Sequence, residues 1–186
     1  MKLTEKLLRS TFLFLLLSFI ASSVHAERVY LDITASDVRK VVVAVPDFTG
    51  SVSAGEAAGQ GRKIAQLLSR GLEFHGFITV LDQKRYGGSR DTDWKAFDVD
   101  YVVMGLFDAA ESAMKVEGRL LDVAEDRMLA GRRYKGTAKQ QDDMVLRLCD
   151  ALIEEFSGEP GISRTSLAYV SDATGRKEVY ISDVLG

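Results

Sequence analysis

Few side chains in this sequence could carry out covalent chemistry, and they do not form a catalytic set. Cys149 is the single cysteine, and His25 and His75 are the only histidines. Asp47 directly follows an apolar run, at a position where open sheets often bind ligands. A hydrolase needs a nucleophile beside a base, or two carboxylates close together, and the sequence pairs no such group with Asp47. We therefore predict no catalytic residue and no cofactor.

Two other groups of residues have the composition of a ligand site but the wrong spacing. Three glycines follow the order G-x-x-x-G-x-G, which differs from the dinucleotide-binding fingerprint (Gly55, Gly59 and Gly61). Four aspartates near Trp94 lack the glycine and the terminal glutamate of a calcium loop (Asp91, Asp93, Asp98 and Asp100). We interpret the glycines as a flexible helix entry and the aspartates as capping or surface charges, and we expect no bound metal.

The overall composition indicates a globular chain that does not bind nucleic acid. Of the 186 residues, 46% are hydrophobic and 27% are charged, and the formal net charge is −3. Nucleic-acid binding requires a basic excess that neutralises phosphates, and this chain lacks one. A small basic group (Arg132, Arg133 and Lys135) is ordinary for an exposed strand. The length allows one domain of ordinary size plus a fragment of another.

The first 26 residues have the three parts of a secretory signal peptide. Lys2, Lys6 and Arg9 precede an apolar run at residues 12–21, and small residues then predict cleavage after Ala26. The apolar run is about half the length that a membrane-spanning helix needs, and no cysteine near the cleavage point could carry a lipid anchor. The sequence therefore predicts secretion, with no membrane span in the mature chain.

Hydrophobic periodicity predicts one α/β domain over residues 27–160. Residues 28–34 alternate as in a half-buried or edge strand, and the β-branched run at residues 40–46 is typical of a strand buried on both faces. Two long helices are predicted, one ending near Phe74 and one over residues 141–156. The other predicted elements are a short helix capped by Thr92 and strands at residues 77–81, 101–107, 114–123 and 128–134. The predicted fold is a mixed β-sheet packed with two long helices and a short one.

These elements suggest structural roles for the reactive side chains. Cys149 falls within the apolar stripe of the second helix, so we expect a buried thiol. His75 lies beside Gly76 at the end of the first helix, where a cationic imidazole would interact favourably with the helix dipole. Asp47 is interpreted as a loop or capping residue.

A separate β-hairpin is predicted after Pro160. Alternating strands at residues 166–171 and 178–182 flank a turn at residues 173–176. Because an isolated two-stranded hairpin is only marginally stable in water, we expect it to pack against another element.

The order of these segments resembles the TolB family. ERVYLDIT followed by VVVAVPDF resembles the start of the mature family members, and GISRTSLAYV resembles the junction between their two domains. LAYVSDATGRKEVYISDVLG resembles the first strands of their β-propeller. The resemblance implies an N-terminal domain over residues 27–160, followed by a linker and the start of a truncated propeller over residues 161–186. A blade in such repeats has ~40–45 residues, so docking of the lipoprotein Pal on the propeller would be lost.

The remaining candidate site is the predicted N-terminal strand. An extended segment at a free terminus, followed by a pliable break at residues 35–39, could add to the edge of a partner's sheet. It could equally be the first strand of the domain's own sheet. The resemblance implies partner binding, because the corresponding stretch in the family engages the C-terminal domain of TolA. The predicted contact residues are Glu27, Arg28, Val29, Tyr30, Leu31, Asp32, Ile33 and Thr34.

The resemblance implies a non-enzymatic, monomeric interaction protein of the Tol–Pal system that supports outer-membrane integrity and envelope constriction during cell division. Two alternatives stay open. The chain could be a soluble relative of the lipoproteins that activate penicillin-binding proteins, although the cysteine that carries their lipid is missing. It could also be a small periplasmic hydrolase built on Asp47, although no paired group supports that chemistry.

Overall fold

Two α-helices cover one face of a mixed β-sheet in this computed structural model, which describes residues 39–50, 54–110 and 113–185. The predicted signal peptide, residues 1–26, and the predicted strand at residues 28–34 lie outside the described residues. The helices are α1 (Ala54–Phe74) and α2 (Gln141–Ser157). The described sheet strands are β1 (Val41–Ala44), β2 (Thr49–Gly50), β3 (Ile78–Val80), β4 (Tyr101–Ala109), β5 (Met114–Asp122) and β6 (Arg127–Gly136).

The sheet contains both parallel and antiparallel pairs. Its described order is β3-β1-β4-β5-β6, and β2 pairs with β4 beyond the end of β1. β1 runs parallel to β3 and to β4, whereas β4, β5 and β6 form an antiparallel meander. The predicted mixed sheet is therefore confirmed. β6 extends beyond the predicted residues 128–134 at both ends.

The main core lies between the sheet and the two helices. The 3.6-residue periodicity of α2 places its apolar side chains on one face, and six of them are buried (Met144, Val145, Leu148, Cys149, Leu152 and Ile153). They pack with buried side chains of α1 and of the strands, which include Ile64, Leu68, Leu72, Val43, Val103 and Val116. The stripe predicted for residues 141–156 is confirmed, although Phe156 is only partly buried.

Two glycines of the sheet allow side chains to lie directly on its backbone. A Cβ added to Gly118 of β5 would stand 2.5 Å from Leu148 Cδ2, and a Cβ added to Gly105 of β4 would overlap the ring of Phe48. Neither position has room for a side chain. As a result, α2 packs closely on β5, and Phe48 packs closely on β4.

A second, smaller core covers the other face of β1 and the start of β4. Its buried side chains come from these two strands and from the connection between β3 and β4 (Ala44, Leu81, Tyr86, Val99 and Val102). The Tyr86 ring meets Trp94 edge-on at 5.1 Å, and its hydroxyl donates to the Val45 carbonyl at 3.0 Å. Burial raises the pKa of Tyr86 to about 12. Because the two cores cover β1 from opposite sides, the prediction that this strand is buried on both faces is confirmed.

The predicted short helix is a 3-10 helix at Trp94–Phe97, but the predicted cap is wrong. Asp93 occupies the N-cap position and makes no side-chain capping bond. Thr92 lies one position before the N-cap, and its Oγ1 instead donates to the Ser89 carbonyl at 3.0 Å. Asp98, in the left-handed conformation at φ 53°, ends the helix.

The hairpin formed by β7 (Ser166–Ser171) and β8 (Glu178–Asp183) lies where the sequence predicts it. Tyr169 and Tyr180 stack across the two strands with their ring centroids 5.6 Å apart. Its largest aliphatic side chains are all more than half exposed (Leu167, Val170, Val179 and Ile181). Within the described residues, the hairpin therefore lacks the packing partner that we expected.

Truncating the buried stripe of α2 should destabilise the domain. Leu148 and Leu152 are 0% and 2% exposed, so Leu148→Ala and Leu152→Ala should each lower the free energy of unfolding by ~2–5 kcal/mol. Urea unfolding followed by circular dichroism measures this change. The exposed Lys139→Ala serves as the control, and equal effects of all three substitutions would contradict the burial of the stripe.

The contact between Gly118 and Leu148 should appear as an energetic coupling. Gly118→Ala should cost ~1–3 kcal/mol because the added methyl group overpacks against Leu148. Most of this cost should disappear in the Leu148→Ala background, which a double-mutant cycle measures. Gly59→Ala is the control, since a Cβ there has nothing within 4 Å. Additive effects of Gly118→Ala and Leu148→Ala would argue against close packing at this point.

Candidate functional site

Asp47 lies in the connection between β1 and β2, where neighbouring side chains donate to its carboxylate. Gln83 Nε2 donates to Oδ1 at 3.2 Å, and Arg62 Nε lies 3.4 Å from Oδ2. The Asp47 amide donates to the Gly88 carbonyl at 3.1 Å, and Gln83 Nε2 also donates to the Val45 carbonyl at 2.8 Å. These contacts tie the end of β1 to the connection after β3, which is the loop role predicted for Asp47.

The cavity beside Asp47 contains no second catalytic group that could work with this carboxylate. It has a volume of about 340 Å³, and its ionisable lining residues are Asp47, Arg62, Asp82 and Lys84. Asp82 Oδ1 accepts a hydrogen bond from the Lys84 amide at 2.9 Å and so caps the 3-10 helix at Gln83–Arg85. A base with a nucleophile, or a free carboxylate pair, is therefore absent from the described lining of this cavity.

Cys149 is fully buried, as predicted, and its thiol has a structural partner. Ser163 Oγ donates to Cys149 Sγ at 3.1 Å. Burial raises the pKa of the Cys149 thiol to about 12, so the thiol stays protonated at neutral pH. Because the thiolate is the nucleophilic form, Cys149 is a packing residue of α2.

His75 lies at the end of α1, where the sequence predicts it. Its Nε2 lies 3.2 Å from the Ile162 amide nitrogen, and its Nδ1 lies 2.8 Å from the Gly71 carbonyl oxygen. The imidazole thus holds the segment after α2 against the end of α1. Its predicted cationic interaction with the helix dipole stays a prediction.

The aspartates around Trp94 do not converge on a metal position. Asp100 accepts hydrogen bonds from Arg39 Nη2 at 2.9 Å and from the Val42 amide at 2.8 Å. Asp93 and Asp98 lie at the two ends of the 3-10 helix. Among residues 39–50, 54–110 and 113–185, three or more His, Cys, Asp or Glu side chains nowhere cluster around a possible metal ion.

The three glycines at positions 55, 59 and 61 lie within α1 and do not form a loop before it. The predicted flexible helix entry at these positions is therefore wrong. Gly61 has a packing role, because its carbonyl accepts a hydrogen bond from the Phe48 amide at 3.3 Å and a Cβ there would overlap the Phe48 carbonyl. A phosphate-binding turn would require these glycines to precede the helix.

Charged residues on the sheet face opposite the helices form a group that was not predicted. Glu117 of β5 accepts hydrogen bonds from Arg119 Nη2 at 2.7 Å and from Arg133 Nη2 at 2.6 Å. Hydrogen bonds from Arg133 and then Arg119 lower the pKa of Glu117. The sequence feature that could have predicted this group is the alternation in β5, where buried residues separate Lys115, Glu117 and Arg119.

The predicted partner-binding strand, residues 27–34, lies outside the described residues. Neither of the two described helices has an apolar stretch long enough to cross a bilayer. The described part of the chain therefore contributes an α/β scaffold, a partly covered sheet face and no converging catalytic group.

Comparison with known proteins connects this scaffold to one family. A family model for the TolB amino-terminal domain matches residues 29–129. The Tol-Pal system protein TolB of Desulfotalea psychrophila is 39% identical over 187 residues, covering 96% of this chain and 43% of the relative. The protein of the same name from Desulfosudis oleivorans is 29% identical over 192 residues, with the same two coverages. The chain thus spans less than half the length of these relatives.

A solved structure supports the fold independently. TolB from Acinetobacter baumannii matches with a TM-score of 0.60 and 21% identity, over 79% of this chain and 36% of that structure. The likeness confirms the predicted α/β architecture. Because the family model matches more than half of the 186 residues, the chain belongs to the TolB amino-terminal domain family.

Proposed function

We propose that this chain is a binding domain of the Tol–Pal system that acts in the periplasm without catalysing a reaction. The observation that carries the proposal is the match of residues 29–129 to the TolB amino-terminal domain, together with relatives named as Tol-Pal system proteins. In this role the chain is exported by its signal peptide. It acts as a monomer and supports outer-membrane integrity and envelope constriction during cell division.

The contacts of the reactive side chains support a non-enzymatic role. Gln83 and Arg62 engage the Asp47 carboxylate, and the Cys149 thiol is buried with a raised pKa. Both nitrogens of His75 are engaged by backbone groups. Each side chain stabilises a connection between elements, so none is available as a general base or nucleophile.

The partner-binding site in this proposal is the segment at residues 27–34. Its alternating Val29, Leu31 and Ile33 would face the partner's core, while its backbone adds to the edge of the partner's sheet. The partner is the C-terminal domain of TolA.

Disrupting the backbone of this segment should abolish TolA binding. Proline cannot donate a hydrogen bond to a sheet, so Leu31→Pro should eliminate detectable binding, and deletion of residues 27–34 should do the same. Calorimetric titration with the purified TolA C-terminal domain measures affinity, and circular dichroism checks the fold. Asp32→Ser, a polar change, is the control and should have little effect.

The outcome separates two roles of the segment. Full binding by a folded deletion variant would refute the site assignment. Loss of folding in that variant would instead mean that the segment is the first strand of the domain's own sheet.

Asp47 should contribute to stability and not to turnover. Asp47→Ala should lower the free energy of unfolding by about 1 kcal/mol, because Gln83 and Arg62 lose a hydrogen-bond acceptor. Affinity for the TolA domain should stay unchanged. Neither the wild type nor the variant should hydrolyse p-nitrophenyl esters or phosphates, and the exposed Asp91→Ala is the stability control. Hydrolysis that is lost in Asp47→Ala would favour the hydrolase.

A further inference from the structure

Beyond the small core, the face of the sheet opposite the helices is uncovered within the described residues. The small core ends near Met104, which is only partly buried. Farther along β4, β5 and β6, the side chains on this face are half-buried or exposed. We define the open face by the six residues that represent it: Leu106, Lys115, Glu117, Arg119, Arg133 and Lys135.

Strand register places these residues side by side. Leu106 of β4 pairs with Glu117 of β5, which pairs with Arg133 of β6. Lys115 likewise pairs with Lys135. Because successive side chains of a strand point to opposite faces, the intervening Val116 and Gly118 face the helices. The open face is therefore one continuous surface across three strands.

The open face is positively charged on a chain that is negative overall. Four cationic side chains lie on it, which are Lys115, Arg119, Arg133 and Lys135. The carboxylates beside them are Asp108 and Glu117, so the face has an excess of two positive charges. The whole chain has a net charge of −3. The open face is thus more positive than the chain as a whole.

Protection of a sheet edge does not account for this charge. Lysine and arginine on an outer strand prevent edge-to-edge aggregation, and β6 is the outer strand of the described order. Lys115 and Arg119, however, lie on β5, which has strands on both sides. An interior strand has no edge to protect, and ion pairs with Asp108 at 3.0 Å and Glu117 at 2.7 Å hold its two cations on this face.

A hollow at the end of this face combines apolar and cationic groups. It has a volume of about 490 Å³, and Gly50, Leu106 and Phe107 contribute its apolar lining. Lys115, Arg133 and Lys135 also line it. Such a hollow suits an apolar side chain flanked by carboxylates.

We propose that the open face binds an acidic, extended peptide segment of a partner protein, with one apolar side chain in the hollow and flanking carboxylates on Lys115, Arg133 and Lys135. The complementary charge orients the segment, and the apolar side chain adds burial. This site has no residue in common with the segment at residues 27–34.

The test uses a displayed library of random seven-residue peptides, selected in parallel against the full chain and against a Lys115→Glu/Lys135→Glu variant. Peptides selected on the wild type should be rich in Asp and Glu around an apolar residue. In fluorescence anisotropy, a synthetic copy should bind the variant about tenfold more weakly. Salt at ~1 M should weaken binding as well. Lys63→Glu/Lys139→Glu, which changes two exposed lysines outside the open face, is the matched control.

Four results would overturn the proposal. The first is that the selected peptides show no enrichment of Asp and Glu, and the second is that the wild type and the folded charge-reversal variant bind the peptide equally. The third is that the chain binds only phosphatidylglycerol vesicles. The fourth is that the chain associates with itself and that the charge reversal abolishes this association. The third result would assign the face to a membrane, and the fourth would assign it to a second copy of this chain.

Discussion

The close packing of apolar side chains directly on the sheet backbone is the constraint on which the rest of the structure depends. Leu148 of α2 lies where a side chain at position 118 would stand, and Phe48 does the same above position 105. These contacts bring α2 and the connection between β1 and β2 onto the same face of the sheet. The main core forms there, because the apolar stripes of both helices can reach the strands only from that side.

Packing on one face leaves the other face available for binding. A small aromatic core covers β1 and the start of β4, where strands are buried on both sides. The remaining part of the meander alternates between buried residues toward the helices and charged residues toward solvent. In the proposed binding mode, stability and recognition use opposite faces of the same strands, so substitutions on the open face change binding without removing core contacts.

The side chains that could carry out chemistry instead hold the connections between helices and strands in place. Asp47 joins the end of β1 to the connection after β3, and His75 and Cys149 hold the segment after α2 through Ile162 and Ser163. Each of these side chains stabilises the fold through a fixed hydrogen-bond partner. For the same reason, each is unsuited to proton transfer or nucleophilic attack. A domain with this arrangement fits a protein that works by binding other proteins.

Local sequence determined the elements of this protein, whereas tertiary structure determined the environment of individual side chains. The β-branched run at residues 40–46, the stripe of α2 and the hairpin turn were predictable, because strand and helix periodicity depends on neighbours a few residues apart. Partner binding by residues 27–34 stays a prediction from sequence and family resemblance. His75 Nε2 meets an amide 87 positions away, and Glu117 meets Arg133 only through strand pairing. Periodicity shows that a strand has two faces, but only the packing of the helices decides which face stays open.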